Sequence, residues 1–144
     1  MEKNAIKSFA PYNFSRCFNA QCPKADQCLH HLAATKETKD DYSVLIINPL
    51  RIPEDLSLCP AFQSNEKVKV AWGLKHLFDN IVYKKVDTIR DRLICHFGKT
   101  KYYRIYRNEI GLLPIDQDFI RRVFKEKGVE KEPIYDEYTK EYLW

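Results

Sequence analysis

Four of the five cysteines in this chain, Cys17, Cys22, Cys28 and Cys59, fall in its first 60 residues, and the first three crowd one short segment. The spacing is C-x4-C-x5-C-x30-C, and the second and fourth cysteines are each followed by proline, Cys22-Pro23 and Cys59-Pro60. Four thiolates complete a tetrahedron around Zn2+ at about 2.3 Å each, and a loop-rich segment can wrap to supply them while the distant Cys59 ties its ends together. Metal binding would then contribute to folding a region with little apolar periodicity of its own. Proline beside cysteine also surrounds iron–sulfur clusters, which take four cysteines as well. A third reading has no cofactor, the thiols serving as small apolar side chains. His30 or His31 could replace one thiolate, but they read first as helix-surface groups or as neighbours of the thiols, and Cys95 reads as a packing residue.

The segment Met1 to Ser8 lacks the apolar stretch of a leader, and no later run reaches the roughly 20 apolar residues that span a bilayer. The expected location is the cytoplasm, with no membrane partner. An odd cysteine count in a reducing compartment argues against a disulfide framework. With 144 residues, of which 44% are hydrophobic, the chain can bury a core, so one domain over 1–144 is expected. Its parts are a cysteine-rich stretch (1–63), a helix–hairpin–helix stretch (64–128) and an aromatic, acidic tail (129–144).

Periodicity supplies the elements. Residues 25–34 suit a short helix carrying Cys28, His30 and His31, and Tyr42 to Ile47 has the short β-branched run of a buried strand. Val70, Leu74, Leu77, Phe78 and Ile81 recur at intervals of three and four, which predicts an amphipathic helix over 65–80. A second helix is expected from Asp87, as N-cap, to Gly98, with Ile89, Leu93 and Phe97 one turn apart. Tyr102 to Tyr106 and Ile110 to Leu113 read as hairpin arms around Asn108-Glu109. Pro114 opens a third helix with the stripe Phe119, Ile120, Val123 and Phe124, closed by Gly128. After Pro133, the helically spaced Tyr135, Tyr138 and Tyr142 are expected to fold back over the core. The fold class is α+β: a cysteine-rich irregular amino-terminal part packed on a helix–helix–β-hairpin–helix unit.

Net charge is only +4, but it is unevenly spread. Between Lys84 and Arg107 eight bases face two acids, whereas from Glu126 to Trp144 six acids face three bases. Helix, turn, basic helix and hairpin is the order of a winged helix-turn-helix, with Arg90 and Arg92 on the groove helix and Lys99, Lys101, Arg104 and Arg107 on or beside the wing. Tyr102, Tyr103 and Tyr106 could stack on unpaired bases. Nucleic-acid binding is therefore the alternative to a protein-binding or adaptor role, and an ordinary solvated basic face is the bland explanation.

Catalytic signatures are missing. The four glycines, Gly73, Gly98, Gly111 and Gly128, are too dispersed to cradle a phosphate, and no nucleophile elbow, H-E-x-x-H or zinc-deaminase pattern occurs. The expectation leans away from an enzyme, with a thiol or iron–sulfur redox protein as a further alternative. The runs C-F-N-A-Q-C-P-K-A-D-Q-C-L (Cys17 to Leu29), L-C-P (Leu58 to Pro60), Y-Y-R (Tyr102 to Arg104) and L-L-P-I-D-Q (Leu112 to Gln117) resemble a family of small uncharacterised bacterial four-cysteine proteins. That resemblance spans nearly the whole chain, implies no activity, and joins the cysteine segment and the helical segment in one unit.

Overall fold

The computed structural model of the protein describes residues 10–36 and 41–144; the amino-terminal stretch read above as leaderless lies outside them up to residue 9. The chain divides into two compact units, 10–67 with Tyr142–Trp144, and 68–141. Helices and strands together make the class α+β, as expected, although several elements sit elsewhere than the periodicity suggested.

Unit 68–141 begins with strand β1 (Val68–Trp72), where a helix is predicted. Lys67-Val68-Lys69-Val70 alternates polar and apolar residues, a period-two signal that the three-and-four spacing of the later leucines hides. Gly73, at φ +77°, ends the strand, and a Cβ there would lie 2.0 Å from an Asp136 carboxylate oxygen. The chain then turns through consecutive i to i+3 bonds, Leu77 N–H to Leu74 O, Asp79 N–H to His76 O and Ile81 N–H to Phe78 O, in place of a continuous helix. The Asp136 carboxylate accepts from the His76 N–H at 3.1 Å, fixing the start of this turn.

Helix α1 (Leu29–Lys36) belongs to the other unit, and α2 (Tyr83–Phe97) is the first helix here; it starts a turn earlier than Asp87, which instead pairs with Arg90 inside it. Gly98 stops α2, as expected, with φ +82° and ψ 148°, a combination essentially confined to glycine. The chain turns at once into α3 (Lys99–Tyr106), where the predicted hairpin arm is helical. The reason is tertiary: one turn of helix buries Tyr102 and Ile105 together, which a strand would send to opposite faces. Asn108, at φ +63°, closes α3 rather than forming a hairpin turn.

Helix α4 (Pro114–Glu126) carries the expected stripe, with Phe119, Ile120, Val123 and Phe124 all buried. Its first turn is fastened by Asp116, whose carboxylate accepts from the Leu113 N–H at 3.1 Å. The tail does return to the core, but as strand β2 (Glu137–Glu141), antiparallel to β1 in the register Val68↔Glu141 to Trp72↔Glu137. Tyr135 is buried beside it. The opposite edge of β1 is bridged by Leu112, which exchanges two backbone bonds with Ala71, so β1 is sheltered on both sides.

Unit 10–67 is irregular, as its sequence suggests. Its helix α1 (Leu29–Lys36) follows a 3-10 turn (Ala25–Gln27) and buries Leu29, Ala33 and Ala34. The predicted buried strand at Tyr42 to Ile47 is reduced to one parallel bridge, Arg16↔Ile46, and Tyr42, Leu45 and Ile46 are exposed. Among the described residues, the buried apolar side chains here are only Ala10, Leu29, Ala33 and Ala34. Such a core is small for a unit of this length.

Candidate functional site

The four early cysteines are placed by turns. Cys17 is joined to α1 through its N–H, which bonds His30 O at 3.0 Å. Cys22 opens the turn Cys22-Pro23-Lys24-Ala25, where Ala25 N–H bonds Cys22 O at 3.1 Å, and Cys59 opens Cys59-Pro60-Ala61-Phe62, where Phe62 N–H bonds Cys59 O at 3.2 Å. In both, proline fixes φ at the second turn position, so the two Cys-Pro pairs are local repeats of one device. Cys28 sits at the break between the 3-10 turn and α1 and is bridged to Ser64.

Cys17, Cys22, Cys28 and Cys59 line one cavity of about 30 Å³, together with His31. All four are free, partly buried thiols. The two Cys-Pro turns are tied across the cavity by Lys24, whose ammonium donates to Ser57 O at 2.8 Å and lies 4.8 Å from the centre of the Phe62 ring. His31 Nδ1 is 3.1 Å from Cys17 O. A carbonyl only accepts, so Nδ1 carries a proton, and in the neutral ring it is Nε2 that offers its lone pair, the tautomer suited to metal ligation. His30, its neighbour, stacks instead on Phe14 with ring centres 4.5 Å apart and donates from Nδ1 to Ser15 O.

Sharing a cavity is a weaker condition than sharing an ion. Among the described residues, no three Cys, His, Asp or Glu side chains are grouped so that they could hold a metal as they stand. The thiols converge on a common space without being drawn to ligating distance, and a cysteine side chain reorients by rotation about a single bond, χ1. The lining, not the present sulfur positions, is therefore the better guide to which residues can act together. Cys95 is apart from this group, exposed on α2 rather than packed.

The chain belongs to DUF6078. This is a family of unknown function, and its model matches residues 1–144. No curated protein and no solved structure matches the chain. In this DUF6078 chain the cysteine segment and the helical segment thus fall within one family match, while the activity has to be argued from the residues themselves.

The basic segment does not assemble the expected surface. Lys99, Lys101 and Arg104 lie on α3, so no wing stands beside α2. Arg90 pairs with Asp87 at 3.1 Å, and Arg104 and Arg107 share Glu109 at 3.2 and 2.8 Å. Their hydrogen bonds, that of Arg107 first, hold the Glu109 carboxyl below the usual carboxylate range. Lys101 lies over the Phe97 ring and Arg92 over that of Phe119. The winged-helix geometry is thereby overturned: its third component is a helix, because Tyr102 and Ile105 are buried on one side of it. Among the described residues no helix is long and apolar enough to cross a membrane.

Proposed function

We propose that this protein is a binding or adaptor module whose 10–67 unit is stapled by one Zn2+ on Cys17, Cys22, Cys28 and Cys59. The observation that carries the reading is the one small cavity lined by all four of these cysteines, three from one short segment and Cys59 from a turn far along the chain. Its size favours one ion over a cluster of several iron and sulfur atoms, and thiolate ligands suit zinc. Zinc bound there would offset the small apolar core of this unit, since ligand binding to the folded form adds directly to stability. Lys24, beside the thiols, would compensate part of the negative charge of a tetrathiolate centre, and His31 Nε2 offers an imidazole where one thiolate is displaced.

The binding role is supported by what the same unit leaves uncovered. Phe18, Leu45, Ile46, Leu50 and Leu58 are exposed, and Phe18 and Ile46 line a groove of about 430 Å³ with Ile47, Pro49 and Ile52. Apolar side chains gathered in this way suit a partner surface better than bulk water. Elemental analysis of protein purified without a histidine tag tests the metal. One zinc per chain is expected, retained in Cys95→Ser and lost in Cys22→Ser or Cys59→Ser. A metal content near zero rejects the site, and a brown protein carrying iron rejects zinc in favour of a cluster.

A further inference from the structure

Six arginines lie in unit 68–141: Arg90, Arg92, Arg104, Arg107, Arg121 and Arg122. Four of them pair with carboxylates, Arg90 with Asp87, Arg104 and Arg107 with Glu109, and Arg121 with Asp118 and Glu132. The other two, Arg92 on α2 and Arg122 on α4, make no ion pair among the described residues, and both converge on one ring. Arg92 Cζ is 5.3 Å and Arg122 Cζ 5.8 Å from the centre of Phe119. His96, one turn after Arg92, stacks on the same ring at 3.6 Å with planes 17° apart. The acids closest in sequence make no ion pair with Arg92 or Arg122: Asp118 bonds Arg121, and Asp91 and Glu126 are in none among the described residues.

The two guanidiniums at one aromatic ring are permanent cations that repel one another, and neither forms an ion pair among the described residues. A guanidinium lying over an aromatic ring still presents its N–H edge, which matches the oxygens of a phosphate in pairs. His96 adds an N–H donor in either protonation state. From this convergence we infer that Arg92, His96 and Arg122 form a binding site for a phosphate monoester dianion on the α2–α4 face. Two guanidinium forks and an imidazole N–H gathered at one ring suit the three terminal oxygens of a monoester, whereas a diester of a nucleic-acid backbone offers two. The site is independent of the cysteine cavity, and neither His96 nor Arg122 was singled out by the sequence.

The test is an NMR titration of the full chain with inorganic phosphate, following the Nε–H signals of Arg92 and Arg122 and the ring protons of His96. Saturable shifts of all three are expected, with affinity about tenfold or more weaker in Arg92→Gln and in Arg122→Gln, the loss of a charged hydrogen-bond partner. Arg92→Lys, which keeps the charge and loses the fork, is expected to weaken binding too. All these positions are exposed, so unchanged backbone spectra will verify that the variants fold. Phenyl phosphate and a phosphoserine peptide distinguish a small phosphorylated compound from a modified partner residue, and tight binding of either supports the site. Shifts that do not saturate, or that are the same in the variants, overturn it. Dimethyl phosphate or duplex DNA binding as tightly as the monoester probes would also overturn it, in favour of a backbone contact.

Discussion

At the scale of single residues, the fold converts unremarkable polar side chains into structural ones. Gln117 is buried on α4, and its amide donates to Lys69 O on β1 at 2.8 Å and to Leu112 O at 2.9 Å, so one side chain holds both backbone segments flanking the sheet. Gln117→Leu removes the amide and leaves Lys69 O without this donor, while Leu112 O keeps the Ala71 N–H; a loss of about 1–3 kcal/mol is expected in chemical denaturation. Tyr135 gives the opposite sign. Its hydroxyl is buried and has no hydrogen-bond partner among the described residues, so Tyr135→Phe should be neutral or stabilise by about 1 kcal/mol. Burial, helped by the neighbouring Tyr138, also raises the Tyr135 phenol above its usual value of 10.0. Tyr102 is raised as well, chiefly by burial. The unfolded chain therefore releases these protons first: the stabilising contribution is intact below about pH 10 and declines as pH rises beyond it. Denaturation midpoints measured across that range should fall less steeply for Tyr135→Phe. Tyrosine burial of this kind was anticipated from the aromatic tail, but the roles of Gln117 and Asp136 were not legible, because their partners lie far away in the chain.

At the scale of elements, the junction between α2 and α3 shows how much one residue can decide. Gly98 has φ +82° and ψ 148°, and a Cβ added there would meet nothing within 4 Å. Gly98→Ala therefore carries only the backbone cost of a conformation avoided by side chains, about 1–3 kcal/mol, with no clash to add to it. A drop in thermal midpoint with unchanged tertiary spectra is the expected result, and an unaffected midpoint would show that the junction tolerates another geometry. The sequence identified this stop, and also α4, because glycine, proline and a strong apolar stripe act locally. It misread 102–106 as a strand: Tyr102-Tyr103-Arg104-Ile105-Tyr106 has the aromatic and β-branched residues common in sheets, yet burial of Tyr102 and Ile105 on one face outweighs that local preference. It misread 68–72 in the other direction, since Val70 joins the leucines of the following turn in a helical spacing while in fact pairing with Thr139.

For the whole molecule, the two compact units differ in what holds them. Unit 68–141 buries an extensive apolar cluster that includes Leu93, Tyr102, Ile105, Ile120 and Phe124, whereas the described part of 10–67 buries mainly alanines and Leu29. If zinc occupies the cysteine cavity, a strong chelator should lower the unfolding temperature reported by Trp144, in the small unit, far more than that reported by Trp72, in the large one. Equal shifts, or none, would count against a staple confined to 10–67. Single-tryptophan variants make the two signals separable. The amino-acid sequence by itself determined the cysteine grouping, the charge asymmetry, the helix stops and the amphipathic face of α4, because each depends on neighbours within a few residues. Only the tertiary structure decided that β1 and β2, far apart in sequence, pair with each other, that the basic segment is helical with Arg90, Arg104 and Arg107 ion-paired, and that Arg92, His96 and Arg122 gather around Phe119. Those outcomes depend on which surfaces are buried together, and burial is a property of the assembled chain that no local window contains.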